Sequence, residues 1–175
     1  MKKVFLSSLL AVIGVLGMSN FVFSQISTVA MGKTAAVPSM RSSDGTKYRS
    51  SVNTKAMRSF KKMFATVEGE KWYEYKGAYA AVFVSGDVRF RVEYDSRGYW
   101  SATEKDYYEA KLDRAVRKVV KSVYFDYTIS SIREITTNAF FTDPIYIIHI
   151  EDAISFKNVA VYDGEMSIID QYLKN

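Results

Sequence analysis

A chain of 175 residues that is 48% hydrophobic and 25% charged has the composition of one folded domain, which excludes disorder throughout. Its formal charge of +5 falls to +3 once Lys2 and Lys3 leave with an N-terminal leader, too mild to call for a nucleic-acid partner. Without a cysteine it has no disulfide, no thiolate metal ligand or nucleophile, and no residue to carry a lipoprotein's lipid.

The chain opens with two lysines, an apolar stretch from Val4 to about Met18, and then smaller and more polar residues. That order is expected of a secretory signal peptide over 1–24. The alternative, a retained anchor, is disfavoured because Ser19, Asn20, Ser24 and Gln25 interrupt the run short of the ~20 residues that span a bilayer. No stable membrane anchor is expected after cleavage, and the location is periplasmic or secreted. Residues 25–52, with Pro38 and "RSSDGTKYRSS", show no periodicity and are expected to be a flexible leader.

The folded part is expected over 53–175. Asn53 is a good helix N-cap, and Met57, Phe60, Phe64 and Val67 follow at helical spacing. Short runs then alternate with turn chemistry: "KWYEY", Lys76-Gly77, "AYAAVFV", Ser85-Gly86, "VRFRVEY", Asp95-Ser96-Arg97-Gly98, "YWSAT". This is an antiparallel meander joined by tight hairpins. Val88, Phe90, Val92 and Tyr94 alternate with Arg89, Arg91 and Glu93, which predicts one buried and one wet face. A second helix is predicted in "DYYEAKLDRAVRKVVKSVYF", with Asp106 and Glu109 at capping-box spacing and Leu112, Val116, Val119 and Val123 as its apolar stripe. Four more strands follow: "TISSIREITT", "PIYIIHIED", "SFKNVAVYD" and "EMSIIDQYL", the last pair joined by Asp163-Gly164.

The order helix, four strands, helix, four strands reads as an internal duplication, with repeat 1 at about 53–104 and repeat 2 at about 106–175. Tyr79 then matches Tyr146, and Tyr94 matches Tyr162. The expected fold class is α+β: two tandem α-β4 units forming one antiparallel sheet, with the helices packed on one face.

The Trp72 of the first strand, "VFVSGDVRFRVEYDSRGYW", the amphipathic helix before "YFDYTISSIREI", and "YIIHIEDAISFKNVAVYDGEM" together resemble the small secreted bacterial proteins grouped as β-lactamase-inhibitor-like and PepSY-like. The resemblance covers roughly 53–175 and rests on dispersed aromatic and turn positions. It implies a binding module with helices behind a curved antiparallel sheet and carries no catalytic residues across. Nothing in these residues identifies a β-lactamase as a target.

The lone histidine, His149, shares a strand face with Ile147 and Glu151, so a hydrogen bond to Glu151 is within reach. It has no nucleophile in an elbow motif, no second imidazole and no thiolate, so a polar strand position is the expectation. Asp95 and Asp163 read as turn residues because neither continues into alternating calcium ligands. No catalytic, cofactor or metal residues are expected, and the chain is not expected to be an enzyme. The 13 tyrosines and two tryptophans suit either the core and rim of a small β-rich domain or a binding surface, and the alternation of "KWYEY" puts Tyr73 and Tyr75 together on the open side. Tyr73, Tyr75, Arg89, Arg91 and Glu93 form the expected partner-binding face of an exported, non-enzymatic binding or regulatory module. Its partner would be a protein in the envelope or exterior; the alternative is an envelope protein that binds a small ligand or polymer.

Overall fold

The computed structural model of the protein describes residues 52–138 and 143–174. The expected signal peptide and all of the expected leader except Val52 lie outside them. Val52 itself is buried, 5% exposed, in an apolar cluster with Ala56 and Phe60.

Helix α1, Thr54–Met63, begins where the sequence places it: the Asn53 side chain accepts a hydrogen bond from the Lys55 N–H at 2.8 Å. Val52 before the cap and Met57 inside the first turns join the same cluster, the arrangement of a hydrophobic staple. The helix ends one residue before Phe64, so Phe64 and Val67 pack on the cluster from beyond it.

Strands β1 (Lys71–Tyr75), β2 (Ala78–Ser85), β3 (Val88–Tyr94) and β4 (Trp100–Tyr107) follow. After a short 3-10 turn, Glu109–Lys111, helix α2 spans Arg114–Val123. Strands β5 (Thr128–Thr137), β6 (Ile145–Glu151), β7 (Ser155–Tyr162) and β8 (Glu165–Leu173) complete one eight-stranded antiparallel sheet in the order β1 to β8. Lys76 and Gly77, and Asp163 and Gly164, all have positive φ. Two such residues in a row make the turn whose twist matches a two-residue hairpin.

The start of α2 corrects the expected capping box. Asp106 belongs to β4, and the cap is Asp113, whose carboxylate accepts from Ala115 N at 2.7 Å and Val116 N at 3.3 Å. The residue that α2 buries completely is Val120, while Val123 is 60% exposed. Val120 follows Val116 by four residues and points to the sheet; Val123 lies on the last turn, past the edge of the contact.

The register assigns the core to one face of the sheet. Trp72, Ala81, Val92, Thr103 and Thr136 stand opposite one another across β1 to β5. Tyr107, Ile132, Ile148 and Val159 do the same across β4 to β7. Thr103 and Tyr107 are four apart on one strand and so share a side. Trp72, Ala81, Phe83, Val92 and Tyr94 pack with α1 residues; Tyr107, Ile132, Ile148, Ile150, Val159 and Val161 pack with Leu112 and Val120. Burying the Phe60 ring fully contributes about 2–3 kcal/mol, and it meets Trp72 and Phe83 edge-on at 5.5 and 5.6 Å.

Between the two clusters β4 and β5 carry a polar seam. Lys105 and Glu134 stand directly opposite and pair at 2.6 Å, and the Tyr107 hydroxyl donates to the other Glu134 oxygen at 2.8 Å.

β7 corrects the expected match of Tyr94 with Tyr162. Tyr94 is 1% exposed and on the core face, whereas in β7 it is Val159 and Val161 that face the core, which turns Tyr162 to the other side. Tyr79 pairs with Tyr94, whereas Tyr146 pairs with Val161 and not with Tyr162. Val159, Ala160 and Val161 are all buried, which removes the alternation that would have revealed the phase.

Candidate partner-binding face

The other face of the sheet has no helix packed on it among the described residues. The register brings the five expected residues onto it. Tyr73 lies opposite Ala80, which lies opposite Glu93; Arg91 lies between Val82 and Glu104; Arg89 lies between Val84 and Asp106. Tyr73 is 47% and Tyr75 69% exposed. The residues beside Tyr73 and Glu93 are small and buried: Ala80 is 5% and Ala102 1% exposed. A floor of methyl groups lets the larger neighbours stand out from the sheet.

Four charges near the centre of this face, Arg91, Glu93, Arg133 and Asp106, are paired before any partner arrives. Arg91 Nε donates to Glu93 Oε1 at 2.7 Å, two residues along the same face of β3. Arg133, on β5, reaches across to Asp106 with two hydrogen bonds of 2.7 and 3.3 Å and lies 4.0 Å from Glu104. Burial works against the Arg133 charge, but Asp106 and Glu104 together outweigh it and hold the guanidinium above its usual value. Burial lifts the Glu104 carboxyl above the ordinary glutamate range, and Arg133 opposes that rise. A two-pronged guanidinium–carboxylate contact is directional, so it fixes side chains as well as balancing charge.

Toward the other edge the face carries a second constellation. His149 Nδ1 is 2.9 Å from Asn158 Oδ1, and Asn158 Nδ2 donates to Asp170 Oδ1 at 2.8 Å. Because Asp170 takes the amide's donor, the amide oxygen is left to accept, and the proton of the pair sits on His149 Nδ1. The imidazole ring lies 5.5 Å from Phe156, which lies 5.3 Å from Tyr172. The hydrogen bond to Glu151 that strand spacing puts within reach of His149 gives way to the one with Asn158, and Glu151 pairs with Lys174 at 2.7 Å.

Glu104, Arg133, Asn158 and Asp170 on this face carry no periodic signal in the sequence, and Asp106 reads there as a helix cap. β4 reads "WSATEKDY" and is polar on both sides, Thr103 and Lys105 on one and Glu104 and Asp106 on the other, so no alternation marks either face. The signal available was charge complementarity: Lys105 opposite Glu134 and Asp106 opposite Arg133 are the pairs that set the β4–β5 register. Chemically, the face offers aromatic rings, fixed ion pairs and an oriented imidazole. Among the described residues no group of three or more histidine, cysteine, aspartate or glutamate side chains is placed to hold a metal ion. Asp95, expected in a turn, is occupied there, accepting from the N–H groups of Arg97 and Tyr99 at 2.9 and 2.8 Å.

No protein-family model matches the chain. No curated protein matches it. Solved structures do. A DUF2874 family protein from Bacteroides uniformis is similar with a TM-score of 0.56 at 16% identity, over 70% of this chain and 89% of that one. A protein of Bacteroides eggerthii, provisionally assigned to the periplasm, gives 0.56 at 19%, over 70% and 88%. A BLIP-like, that is β-lactamase-inhibitor-like, protein from Bacteroides fragilis gives 0.56 at 15%, over 69% and 85%. Among the described residues no helix is long and apolar enough to cross a membrane. The eight-stranded antiparallel sheet with its two helices is thus the BLIP-like fold.

Proposed function

We propose that this protein is an exported, non-enzymatic binding or regulatory module that recognises a protein partner through the face of the sheet opposite its helices. The observation that carries this is the placing of Tyr73 and Tyr75, about half and two-thirds exposed, beside the pre-paired Arg91 and Glu93 on that face. Tyrosine gives a large contact area with few rotamers to freeze, and charges already held in position lose little entropy when a partner binds. Location in the periplasm or outside the cell is supported by the apparent signal peptide and by the likeness to the B. eggerthii protein. In this reading the chain is two tandem α-β4 units matched at a spacing of 67 residues, as from Tyr79 to Tyr146.

A second reading, binding of a small ligand or polymer, is favoured by the His149, Phe156 and Tyr172 strip with its neighbouring Asn158 and Asp170. Retention from envelope extract on immobilised wild-type protein, Tyr75→Ala and Arg91→Glu tests the first reading. A discrete protein retained by the wild type and lost with both variants is expected. Retention of the same protein by both variants, or of none by any form, overturns it.

A further inference from the structure

The two edges of the sheet are guarded differently. β1 is five residues long, carries Lys71 and Glu74, and ends in a turn with Lys76. β8 is nine residues long, and among the described residues it pairs with β7 alone. Its side chains include Ile168 at 50%, Tyr172 at 53% and Leu173 at 75% exposure. A long edge strand with exposed apolar side chains offers a row of unpaired backbone groups to another strand.

We infer that β8 pairs antiparallel with β8 of a second copy of this chain, about a two-fold axis between Ile169 and Asp170, so that the two sheets become one. The argument is self-complementarity. That axis sets Glu165 opposite the partner's Lys174, Met166 opposite its Leu173, Ser167 opposite its Tyr172, and Ile168 opposite its Gln171. Strands opposed in this way must present facing residues on the same side of the sheet. The register meets this requirement through an irregularity. Met166 and Ile168 stand opposite Val161 and Val159 on the core face, and Gln171 and Leu173 stand opposite Lys157 and Ser155 on that same face. Ser167 and Tyr172 stand opposite Ala160 and Phe156 on the other. Met166 and Leu173 are seven apart, an odd spacing that an unbroken strand would place on opposite sides. The register shift at Asn158/Val159, which leaves Ile169 as the extra residue, brings them onto one side.

The result is one acid–base pair and one apolar pair at each end of the contact, in a geometry that closes as a dimer and leaves no β8 edge to propagate. A two-fold axis perpendicular to the sheet also keeps the two helix-free faces on the same side, so the dimer presents two copies of that face together.

Sedimentation equilibrium of the purified protein, alone and as variants, tests the pairing. Wild type is expected to show a reversible monomer–dimer equilibrium. Glu165→Lys alone opposes Lys174 with a lysine at both ends, and Lys174→Glu alone opposes two glutamates. Each is expected to weaken self-association about tenfold or more. Mixing the two variants restores opposite charges at both ends, so a heterodimer is expected near wild-type strength. Loss of the internal Lys174–Glu151 pair would weaken Lys174→Glu in the mixture too, so recovery on mixing separates the contact from a structural defect. A wild type that stays monomeric, variants that dimerise like wild type, or a mixture no stronger than its components would each overturn the inference.

Discussion

Replacing Gly98 by alanine is expected to destabilise the fold by about 2–4 kcal/mol, out of proportion to one added methyl group on a surface loop. Gly98 has φ +80°, a conformation that costs an L-residue about 1–2 kcal/mol. The added Cβ would also stand 2.7 Å from Asn53 Oδ1 and 2.9 Å from the Ala56 nitrogen. Asn53 is the N-cap of α1, and its side-chain amide reaches back to the Ser96 carbonyl at 3.5 Å. The loop between β3 and β4 therefore sits on the helix N-terminus. The methyl group must displace either the cap, at a cost of about 1 kcal/mol, or the loop.

Urea denaturation of wild type, Gly98→Ala, Asn53→Gly and the double variant reads both parts. Part of the Gly98→Ala loss should vanish once Asn53 is glycine, because the displaced cap is no longer there to lose. The part due to φ and the helix backbone should remain. A Gly98→Ala protein within about 0.5 kcal/mol of wild type, or strict additivity in the double variant, would refute the reasoning.

His149→Gln keeps a donor for Asn158 Oδ1, so it should cost no more than about 1 kcal/mol by the same measurement; a loss above about 2 kcal/mol would make the imidazole itself indispensable. The backbone N–H of Ile154 first, with further bonds from Ser155 and Tyr127, holds the Asp152 carboxyl down at about 2, against 3.8 ordinarily. Stability from this group is fully present above its unfolded value and is lost as pH falls through about 2, so the advantage of wild type over Asp152→Asn should disappear in that window. A carboxyl titration of Asp152 by NMR centred near 3.8 in the folded protein would contradict that assignment.

What the sequence alone determined is what neighbouring residues decide among themselves. Gly77 and Gly164 adopt positive φ freely and Asp163 tolerates it, so both hairpins were legible from their glycine dipeptides, with Lys76 carried into the same region by the turn. Asn53 caps a bond two residues away, and β3 alternates so cleanly that Val92 and Tyr94 could be assigned to the core and Arg91 and Glu93 to the open face. The start of α2 was not legible, because Asp106 and Asp113 are both acids ahead of an apolar stripe. Only Arg133, 27 residues from Asp106 and across the strand, claims the first for β4. The phase of β7 was hidden by three consecutive buried residues at a register shift. The partner of His149 was hidden because Asn158 lies across a hairpin, and Asp170 across the next, so sequence spacing points to Glu151. Turns and caps are chosen by torsional freedom and contacts within a few residues, whereas strand register and cross-strand pairs exist only after distant segments have packed.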